Sequence, residues 1–354
     1  MLIRYLNYSG ASKIFLWVAE QIAKAGNDVT VYCYSNNVTT ILPSNIRFIN
    51  EDLSNISFFA KCKRIRKTII ELKADVSISF LLDANVYNVI ACMGQKTKSV
   101  ICERNNPFKP KYYKLKFLKP VLYFADGVVC QLSKVAQYYS YIKGKVTVIP
   151  NPIIFRSDVS LRSFKERDNI IVTIGRIEIA QKRNDIQIEA FKIFHQKHPE
   201  YKLLIYGSST NSDDKRIKAL VQKYQLNDFV IFAGVTKNVQ ESIKSAQIYL
   251  LTSDYEGIPN SLIEAMVVGL PCVSTNCSPG GASLLIEDGH NGFIVNKGDS
   301  QEIADKLLWL VEHPMEADNM GNNAKLIKST FSEDKISRMW IKYLNQITNN
   351  INNL

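Results

Sequence analysis

The sequence predicts an α/β protein of two doubly wound, Rossmann-like domains that face each other across an interdomain cleft. Its 354 residues exceed the size at which a single hydrophobic core stops growing, about 250 residues. Short, almost wholly apolar segments alternate with segments of helical periodicity, which indicates parallel sheets covered by helices on both faces. The alternation stops after Asn151-Pro152 and then starts again, which places a domain boundary there.

The first domain is predicted over residues 1–152. Its predicted strands lie at 2–6, 28–34, 75–80, 98–103, 126–131 and 145–150. Its predicted helices lie at 14–25, 58–72 and 84–93, with one more through the basic stretch 109–120 and another after residue 131. Doubly wound sheets bind ligands beyond the carboxyl ends of their strands, so we expect the functional site at the cleft.

The second domain is predicted over residues 153–330, after a charge-rich linker. Its predicted strands lie at 169–176, 202–207, 229–234, 248–253, 271–275 and 292–295. Its predicted helices lie at 185–195, 215–224, 239–246 and 260–269. A last helix is predicted from 332 to about 348, because Ile336, Trp340, Tyr343 and Ile347 form one apolar stripe.

The net charge of +11 comes from the first domain. Residues 1–155 hold 21 Lys and Arg against 9 Asp and Glu, whereas residues 156–354 hold 23 against 24. One basic cluster spans 61–67, and a second interleaves aromatic residues with Lys109, Lys111, Lys114, Lys116 and Lys119. The second cluster suits an anionic membrane surface, with a solvated helix face as the alternative. No nucleic-acid-binding motif accompanies the charge, so nucleic acid is not an expected partner.

The remaining composition predicts a protein that does not cross a membrane and acts in the cytoplasm. No segment reaches the roughly 18 uninterrupted apolar residues of a membrane-spanning helix, and the start of the chain lacks the pattern of a signal peptide. The seven cysteines stand singly in apolar runs, which is typical of buried thiols in a reducing compartment. No HExxH motif occurs and no two aspartates stand two residues apart, so we expect neither a metal nor another cofactor.

The stretch SDYEGIPNSLIEAM, starting at Ser253, follows a predicted strand and opens a helix. Backbone N–H groups at such a helix start can hold a phosphate, here those of Asn260, Ser261 and Leu262. An alternative is that Ser261 and Glu264 form a capping box, with Glu264 serving only the helix start. That alternative leaves Glu256 unexplained, since a carboxylate near a phosphate is repelled unless it contacts hydroxyl groups.

Two cations follow the first strand of the same domain. Arg176 comes directly after the strand, and Lys182 lies six residues later in a predicted polar loop. A guanidinium and an ammonium group at the end of a strand can neutralise a diphosphate without a metal ion. The alternative is two solvated loop cations.

Together these motifs resemble the retaining GT-B glycosyltransferases of the family-4 type. The resemblance covers nearly the whole chain and is carried by IGRIEIAQKRND, YEGIPNSLIEAM, GLPCVSTNCSPGGASLLIEDGHNGFIV, CERNNP, VIPNPI and the terminal FSEDKISRMWIKYL. Its most specific mark is a pair of glutamates separated by seven residues, and Glu256 and Glu264 have that spacing.

The resemblance implies a role for each motif. Glu256 would lie near the donor sugar and leaving phosphate, Glu264 would hold the ribose hydroxyls, and Arg176 with Lys182 would grip the diphosphate. The turn at Ser9-Gly10 would approach the donor from the first domain, with Gly10 among the donor-binding residues. The terminal helix, residues 331–354, would cross back onto the first domain.

The resemblance further implies a metal-independent transfer with retention of configuration. A sugar would pass from a nucleotide-sugar, UDP-linked hexose or N-acetylhexosamine, to a lipid-diphosphate-linked or surface-polysaccharide acceptor at the inner face of the membrane. A GDP-mannose donor is the alternative within the family. A noncatalytic nucleotide-binding scaffold at the membrane and a sugar-nucleotide epimerase of the same fold are the alternatives from other classes.

The chain departs from the family pattern in its first domain. Its four histidines all lie in the second domain, whereas many relatives have one near the acceptor. The acceptor-side candidates are therefore Glu103, Arg104, Asn105 and Asp83, with a carboxylate as the expected acid or base. The sequence SGAS also replaces the glycine pair that usually precedes the first helix.

Overall fold

The structure is a computed structural model that describes residues 1–7, 10–104, 107, 119–154, 162–209, 211–236 and 238–352. The chain divides into two compact units. Unit 1 comprises Met1–Pro152 and Ser332–Leu354, and unit 2 comprises Ile153–Phe331. Each unit contains one parallel sheet with helices, which confirms the predicted α/β class.

Unit 1 is built on a sheet of seven parallel strands among the described residues, in the order β3-β2-β1-β4-β5-β6-β7. The strands are β1 (Leu2–Ile3), β2 (Thr30–Cys33), β3 (Arg47–Asn50), β4 (Val76–Phe80), β5 (Lys98–Glu103), β6 (Gly127–Cys130) and β7 (Lys145–Val148). Strand β3 lies at the edge of the sheet and none of its residues is fully buried. It therefore lacks the continuous apolar run by which the other strands can be predicted.

Five helices of the described part of unit 1 connect these strands. They are α1 (Gly10–Lys24), α2 (Phe58–Glu71), α3 (Leu82–Cys92), α4 (Lys119–Leu122) and α5 (Ser133–Tyr138). Helix α1 begins at Gly10, four residues before the predicted start, and buries Phe15 and Trp17. The Ser57 side chain caps α2 by accepting a hydrogen bond from the Ala60 N–H. These helices bury an apolar face against the sheet, as expected of crossover helices.

Unit 2 contains six parallel strands among the residues described, in the order β10-β9-β8-β11-β12-β13. They are β8 (Asp168–Ile174), β9 (Lys202–Tyr206), β10 (Val230–Gly234), β11 (Ala246–Leu251), β12 (Cys272–Thr275) and β13 (Phe293–Val295). All residues of β11 and β12 are buried. The loops after β8 and β11 extend from the centre of this sheet.

The helices of unit 2 include a stretch that the sequence analysis does not assign. The helices are α6 (Ile179–Lys182), α7 (Asn184–His195), α8 (Asn211–Lys223), α9 (Val239–Ile243), α10 (Asn260–Val268), α11 (Gly281–Leu285), α12 (Ser300–Glu312), α13 (Pro314–Lys325) and α14 (Ile327–Thr330). The last three follow the final predicted strand. Asp299 caps α12 through the Glu302 N–H, and Ile303, Leu307 and Leu310 line its buried face, so the signal for this helix is present in the sequence.

The terminal helix α15 (Glu333–Asn352) belongs to unit 1. Its Trp340 is fully buried and stacks on Phe80, with ring centroids 6.4 Å apart. The Tyr343 hydroxyl donates to the Lys145 carbonyl oxygen at 3.3 Å, and the Trp17 indole N–H donates to Glu333. Residues far apart in the sequence therefore join α15 to the sheet of unit 1.

The cysteines are free and all seven are buried, which confirms the expectation of single buried thiols. Burial raises the pKa of Cys102 and Cys277 to about 12. In the described parts of the chain, no helix combines the length and the apolar character needed to cross a bilayer.

Candidate active site

The strand order of unit 2 changes direction between β8 and β11. After β8 the chain proceeds to β9 on one side of the sheet, and after β11 it proceeds to β12 on the other side. The two strands are adjacent and parallel, with Ile171 opposite Ile248. At such a switch point the loops leave the sheet in opposite directions and open a crevice beyond the strand ends. The candidate residues Arg176, Lys182 and Glu256 all lie in the loops that follow these two strands.

Lys182 lies on the last turn of the short helix α6 rather than in the polar loop that the sequence predicts. Its side chain packs over Gly175, where a Cβ atom would lie 3.1 Å from Lys182 Cε. The Gly175 N–H donates to the Tyr206 carbonyl oxygen at 2.9 Å, which fixes the backbone beneath the lysine. A glycine at this position therefore lets the lysine stem lie flat on the end of strand β8.

Lys182 and Glu256 form an ion pair across the strand-order switch. The Nζ atom of Lys182 lies 2.6 Å from Oε1 of Glu256, and the two side chains are only 15% and 13% exposed. Because water has little access to either group, their attraction is screened less than that of a surface pair. The Ser253 hydroxyl donates to the same Oε1 at 2.9 Å. The carboxylate is thus held by two donors on one oxygen.

Hydroxyl groups on two central strands hold the backbone around this pair. The Thr252 hydroxyl donates to the Lys182 carbonyl oxygen at 2.7 Å, and the Thr275 hydroxyl donates to the Ser253 carbonyl oxygen at 2.6 Å. Thr252, Ser253 and Thr275 are all buried, so these bonds form away from solvent and fix geometry effectively. The sequence analysis does not single out these three residues, although Thr252 and Ser253 directly precede the candidate loop.

The loop that carries Glu256 is also tied to the segment after β12. The Glu256 N–H donates to the Ser278 carbonyl oxygen at 2.9 Å. Gly281 approaches the same loop so closely that a Cβ atom on it would lie 1.6 Å from the Gly257 carbonyl oxygen. Backbone contacts therefore position Glu256 from the side of β12, in addition to its side-chain partners.

The helix α10 begins differently from the capping-box interpretation. Its N-cap is Pro259, and Ser261 lies inside the first turn, where its hydroxyl oxygen accepts a hydrogen bond from Tyr249 at 2.8 Å. Ser261 therefore does not cap the helix, and the interpretation of Glu264 as its capping-box partner is wrong. Glu264 lies one turn after Asn260, on the same side of the helix.

The same helix start corrects one of the phosphate-binding candidates. The Leu262 N–H donates to the Pro259 carbonyl oxygen at 3.1 Å, so this amide is engaged within the first turn. Asn260 and Ser261 are the first two helical residues, where the positive end of the helix dipole lies. The phosphate-binding candidates that remain at the helix start are therefore Asn260, Ser261 and the positive end of the helix dipole.

Arg176 is more exposed than the ion pair. Its guanidinium contacts the Glu178 carboxylate at 2.8 Å, and its side chain is 63% exposed. A contact of 3.5 Å joins it to Gln181, next to Lys182. An exposed guanidinium beside the strand end can reorient toward a ligand at small cost, whereas Lys182 is already fixed.

Arg183 is a third cation of the segment after β8, and it is not among the site residues predicted from the sequence. It has the left-handed φ of +50° and contacts both Asp185 and Asp254, at 3.1 and 3.3 Å. These carboxylates raise the pKa of Arg183, the Asp185 hydrogen bond foremost. The pair Arg183–Asp254 forms a second ion pair between the loops after β8 and β11, beside Lys182–Glu256.

In unit 1, Asp83 lies just beyond β4, which is adjacent to β1 at the strand-order switch of that sheet. Its carboxylate lies 3.5 Å from the Arg4 guanidinium and accepts a hydrogen bond from the Tyr34 hydroxyl at 3.1 Å. Burial and, secondarily, this carboxylate raise the pKa of Tyr34. Gly10, the first residue of α1, follows β1 on the same side of the switch.

Glu103 and Arg104 are buried, whereas a residue that contacts a substrate would lie at the surface. Glu103 is 1% exposed and accepts a hydrogen bond from the Tyr139 hydroxyl at 2.6 Å. The Arg104 guanidinium lies 4.7 Å from the Phe80 ring centre, and burial lowers its pKa. Asn105 and the lysines at 109, 111, 114 and 116 lie outside the described residues, and of Lys119 the structure describes only its place at the start of α4.

Comparison with known proteins identifies the family of unit 2. A family model described as glycosyl transferases group 1 matches residues 160–327. The match covers the loops that carry Lys182 and Glu256, and it supports glycosyltransferase activity for the chain.

Relatives extend the similarity over nearly the whole chain. A Campylobacter jejuni enzyme, the α-1,4-N-acetyl-D-galactosaminyltransferase that acts on an undecaprenol-diphosphate-linked GalNAc-GalNAc-diNAcBac glycan, is 28% identical over 98% of this chain and 98% of its own. An amylovoran biosynthesis glycosyltransferase of Erwinia amylovora is 23% identical over 96% of this chain and 97% of its own.

Solved structures share the fold at low sequence identity. HepE from Anabaena, crystallised with UDP and glucose, superposes with a TM-score of 0.80 at 18% identity, over 97% of this chain and 98% of its own. Sucrose-phosphate synthase from Thermosynechococcus elongatus gives a TM-score of 0.79 at 17% identity, over 98% of each chain. This likeness confirms the GT-B fold.

Proposed function

We propose that this glycosyltransferase moves a sugar, with retention of configuration and without a metal ion, from a UDP-linked N-acetylhexosamine or hexose to a lipid-diphosphate-linked or surface-polysaccharide acceptor. The observation that carries the proposal is the Lys182–Glu256 ion pair, whose atoms lie 2.6 Å apart at the strand-order switch of unit 2. This edge of a doubly wound sheet is where such folds bind nucleotides.

The cations of the loop after β8 would neutralise the diphosphate. Contacts already hold the Lys182 side chain in position. Its charge would therefore not need to move as the leaving group departs. Exposed Arg176 would exchange its Glu178 partner for a phosphate oxygen. The first residues of α10, Asn260 and Ser261, would add the dipole of the helix start.

The two glutamates would contact hydroxyl groups of the donor. A carboxylate next to a diphosphate is repelled unless a cation or a hydroxyl donor compensates it. Lys182 and Ser253 compensate Oε1 of Glu256, so its second oxygen would accept from the sugar. Glu264, one turn into α10, would hold the ribose.

The transfer would break the bond between the anomeric carbon and the diphosphate oxygen while the acceptor oxygen bonds to the same face of that carbon. The acceptor proton would pass to the departing phosphate oxygen, which gains the electron pair of the broken bond. Positive charge on the sugar and negative charge on the diphosphate would both grow in the transition state. Glu256 and Lys182 carry the charges that would stabilise them.

Unit 1 would present the acceptor, and Asp83 is the acceptor-side carboxylate that the geometry favours. Its side chain is 30% exposed, whereas Glu103 is buried and held by Tyr139. Glu103 and Arg104 would then have a structural role in this part of unit 1, beneath its surface. The basic first domain would place the enzyme at the inner face of the membrane, where a lipid-linked acceptor resides.

The names of several relatives favour an N-acetylhexosamine donor. Besides the Campylobacter enzyme, a Staphylococcus aureus poly(ribitol-phosphate) α-N-acetylglucosaminyltransferase is 29% identical over 51% of this chain. The test is incubation of the full chain with UDP-N-acetylgalactosamine, UDP-N-acetylglucosamine, UDP-glucose and GDP-mannose, with an undecaprenyl-diphosphate-linked sugar as acceptor.

We expect transfer or slow hydrolysis with a UDP-sugar and release of UDP. Turnover of GDP-mannose alone would overturn the donor assignment. UDP binding without turnover of any donor would favour a noncatalytic scaffold.

A further inference from the structure

We propose that unit 1 docks on an anionic phospholipid bilayer through five residues, Tyr123, Phe124, Lys134, Tyr141 and Lys143, named here the aromatic–lysine surface. The purpose of this docking rests on the proposed function, because it would bring the enzyme to a lipid-linked acceptor. The docking itself is a property of unit 1 and can be measured without any sugar donor.

Three large aromatic side chains of this surface are exposed. Phe124 is 54% exposed, Tyr123 43% and Tyr141 42%. Tyr123 and Phe124 follow α4 directly and meet edge to face, with ring centroids 5.2 Å apart. Single exposed apolar residues are common on soluble proteins, but a cluster of exposed aromatic rings marks an interaction site.

Backbone and ring contacts link the segments that carry the five residues. The Lys143 N–H donates to the Tyr123 carbonyl oxygen at 3.1 Å, so the segment after α5 lies against the segment after α4. Tyr141, two residues before Lys143, contacts Tyr138 with ring centroids 6.4 Å apart. Lys134 lies one helical turn before Tyr138 on α5, and both Lys134 and Lys143 are exposed.

Two carboxylates near this surface are engaged by other groups. Glu103, whose charge acts on Tyr141, is buried and accepts a hydrogen bond from the Tyr139 hydroxyl. Asp126 is engaged by Lys98 at 3.4 Å and accepts hydrogen bonds from Ser99. These carboxylates therefore offset little of the positive charge of the surface lysines. The surface favours a negatively charged partner.

A bilayer fits this combination better than a protein partner. Tyrosine and phenylalanine rings settle at the level of the lipid headgroups, and lysines beside them reach the phosphates. The apolar part of the surface is three rings, whereas a stable protein interface has a broad apolar core. An acidic protein would be attracted by the lysines but would gain less from rings so few in number.

The first test measures binding of the full chain to vesicles by sedimentation. We expect it to bind vesicles of phosphatidylglycerol and phosphatidylcholine and not vesicles of phosphatidylcholine alone. The double variant Lys134→Gln/Lys143→Gln is expected to bind about 30-fold more weakly, since each cation near an anionic surface contributes about fivefold.

The matched control is Lys197→Gln/Lys202→Gln, which removes the same charge from exposed positions of unit 2. An equal loss in both double variants would show that only net charge matters and would overturn the proposal. Binding that does not depend on phosphatidylglycerol would also overturn it, as would capture of an acidic protein with no binding to vesicles.

The second test keeps the bulk of the aromatic side chain. Phe124→Trp is expected to shift its added fluorescence to shorter wavelength with anionic vesicles and to be quenched by brominated lipid. Met315→Trp is the control, because Met315 is 74% exposed on α13 of unit 2, outside the surface. Equal quenching at both positions, or none at position 124, would contradict the proposal.

The outcomes separate this proposal from the proposed function. If the chain turns over a UDP-sugar but does not bind anionic vesicles, the docking proposal fails and the proposed function stands. If it binds vesicles through these residues but turns over no donor, the proposed function fails alone.

Discussion

Replacing Gly281 by alanine is predicted to displace the loop that carries Glu256. A Cβ atom at position 281 would lie 1.6 Å from the Gly257 carbonyl oxygen and 2.8 Å from its carbon. Since Cβ atoms stay about 3.0 Å or more from such atoms, the two backbones must separate by about 3.0 − 1.6 = 1.4 Å. No rotamer change relieves this contact, because both partners are backbone.

The expected losses of Tm and kcat follow from packing and from the position of Glu256. Overpacking of this kind costs about 1–3 kcal/mol, and a unit of this size loses about 2–4 °C of Tm per kcal/mol. We therefore expect Tm to fall by about 2–12 °C. Because Gly257 follows Glu256 directly, a shift of about 1 Å is also expected to lower kcat about a hundredfold.

The assay combines thermal unfolding of the full chain with turnover of the UDP-sugar that the proposed donor screen selects. Gly289→Ala is the control: Gly289 has a φ of +76° but open space around it, so alanine there costs about 1–2 kcal/mol of backbone strain and leaves the Glu256 loop in place. An unchanged Tm and kcat for Gly281→Ala, or equal losses of kcat in both variants, would refute the reasoning.

Three further predictions follow from the contacts and burial described above. Ser253→Ala should lower kcat about tenfold to a hundredfold with a smaller change in KM, because a hydrogen bond to a charged carboxylate contributes about 1.5–3 kcal/mol; an unchanged kcat would show that Lys182 alone positions Glu256. The native thiols should resist a colourimetric thiol reagent at about pH 8, since burial raises the pKa of Cys102 and Cys277 to about 12; rapid labelling before unfolding would contradict their burial. Burial lowers the pKa of His195 below its ordinary 6.5, so the unfolded chain binds more protons in that range and the free energy of unfolding should decrease as the pH falls through about 6.5; His195→Gln should flatten this dependence in urea titrations, and an unchanged slope would argue against it.

Much of the fold could be predicted because its central strands are buried on both faces and mostly apolar. Strands β11 and β12 are buried along their whole length, and buried parallel strands give the continuous apolar runs that identify them. Edge strand β3 has no fully buried residue and leaves no such run. Helix α12 does carry a readable pattern at Ile303, Leu307 and Leu310.

The site could be predicted as a set of loops but not as a set of contacts. Lys182 and Glu256 each follow a recognisable strand, so their shared edge of the sheet can be expected from the sequence. Their direct pairing depends on the turn of α6 and on hydroxyl groups such as Thr252, which local patterns do not specify. Ser261 fits a capping box in the sequence, yet in the structure the N-cap is Pro259, two residues before Ser261.

The acceptor side shows how burial limits prediction from residue type alone. Glu103 ends one strand of the first domain and Asp83 follows another, and the sequence does not distinguish the two carboxylates. In the structure Glu103 lies beneath Tyr139 and Asp83 lies beside Arg4 and Tyr34. The difference arises from contacts between residues distant in the sequence: Tyr139 covers Glu103, whereas the Asp83 side chain stays 30% exposed.

The central claim is that Lys182 and Glu256 act together on a nucleotide-sugar, and UDP affinity measured beside turnover tests it most directly. Lys182→Ala should weaken UDP binding and lower kcat/KM by about a hundredfold to a thousandfold, whereas Lys215→Ala, an exposed lysine of the same unit, should change neither. Glu256→Gln should keep or tighten UDP binding, since it removes a negative charge near the phosphates, and should still abolish transfer. Full turnover in Glu256→Gln, or UDP affinity unchanged in Lys182→Ala, would contradict the account.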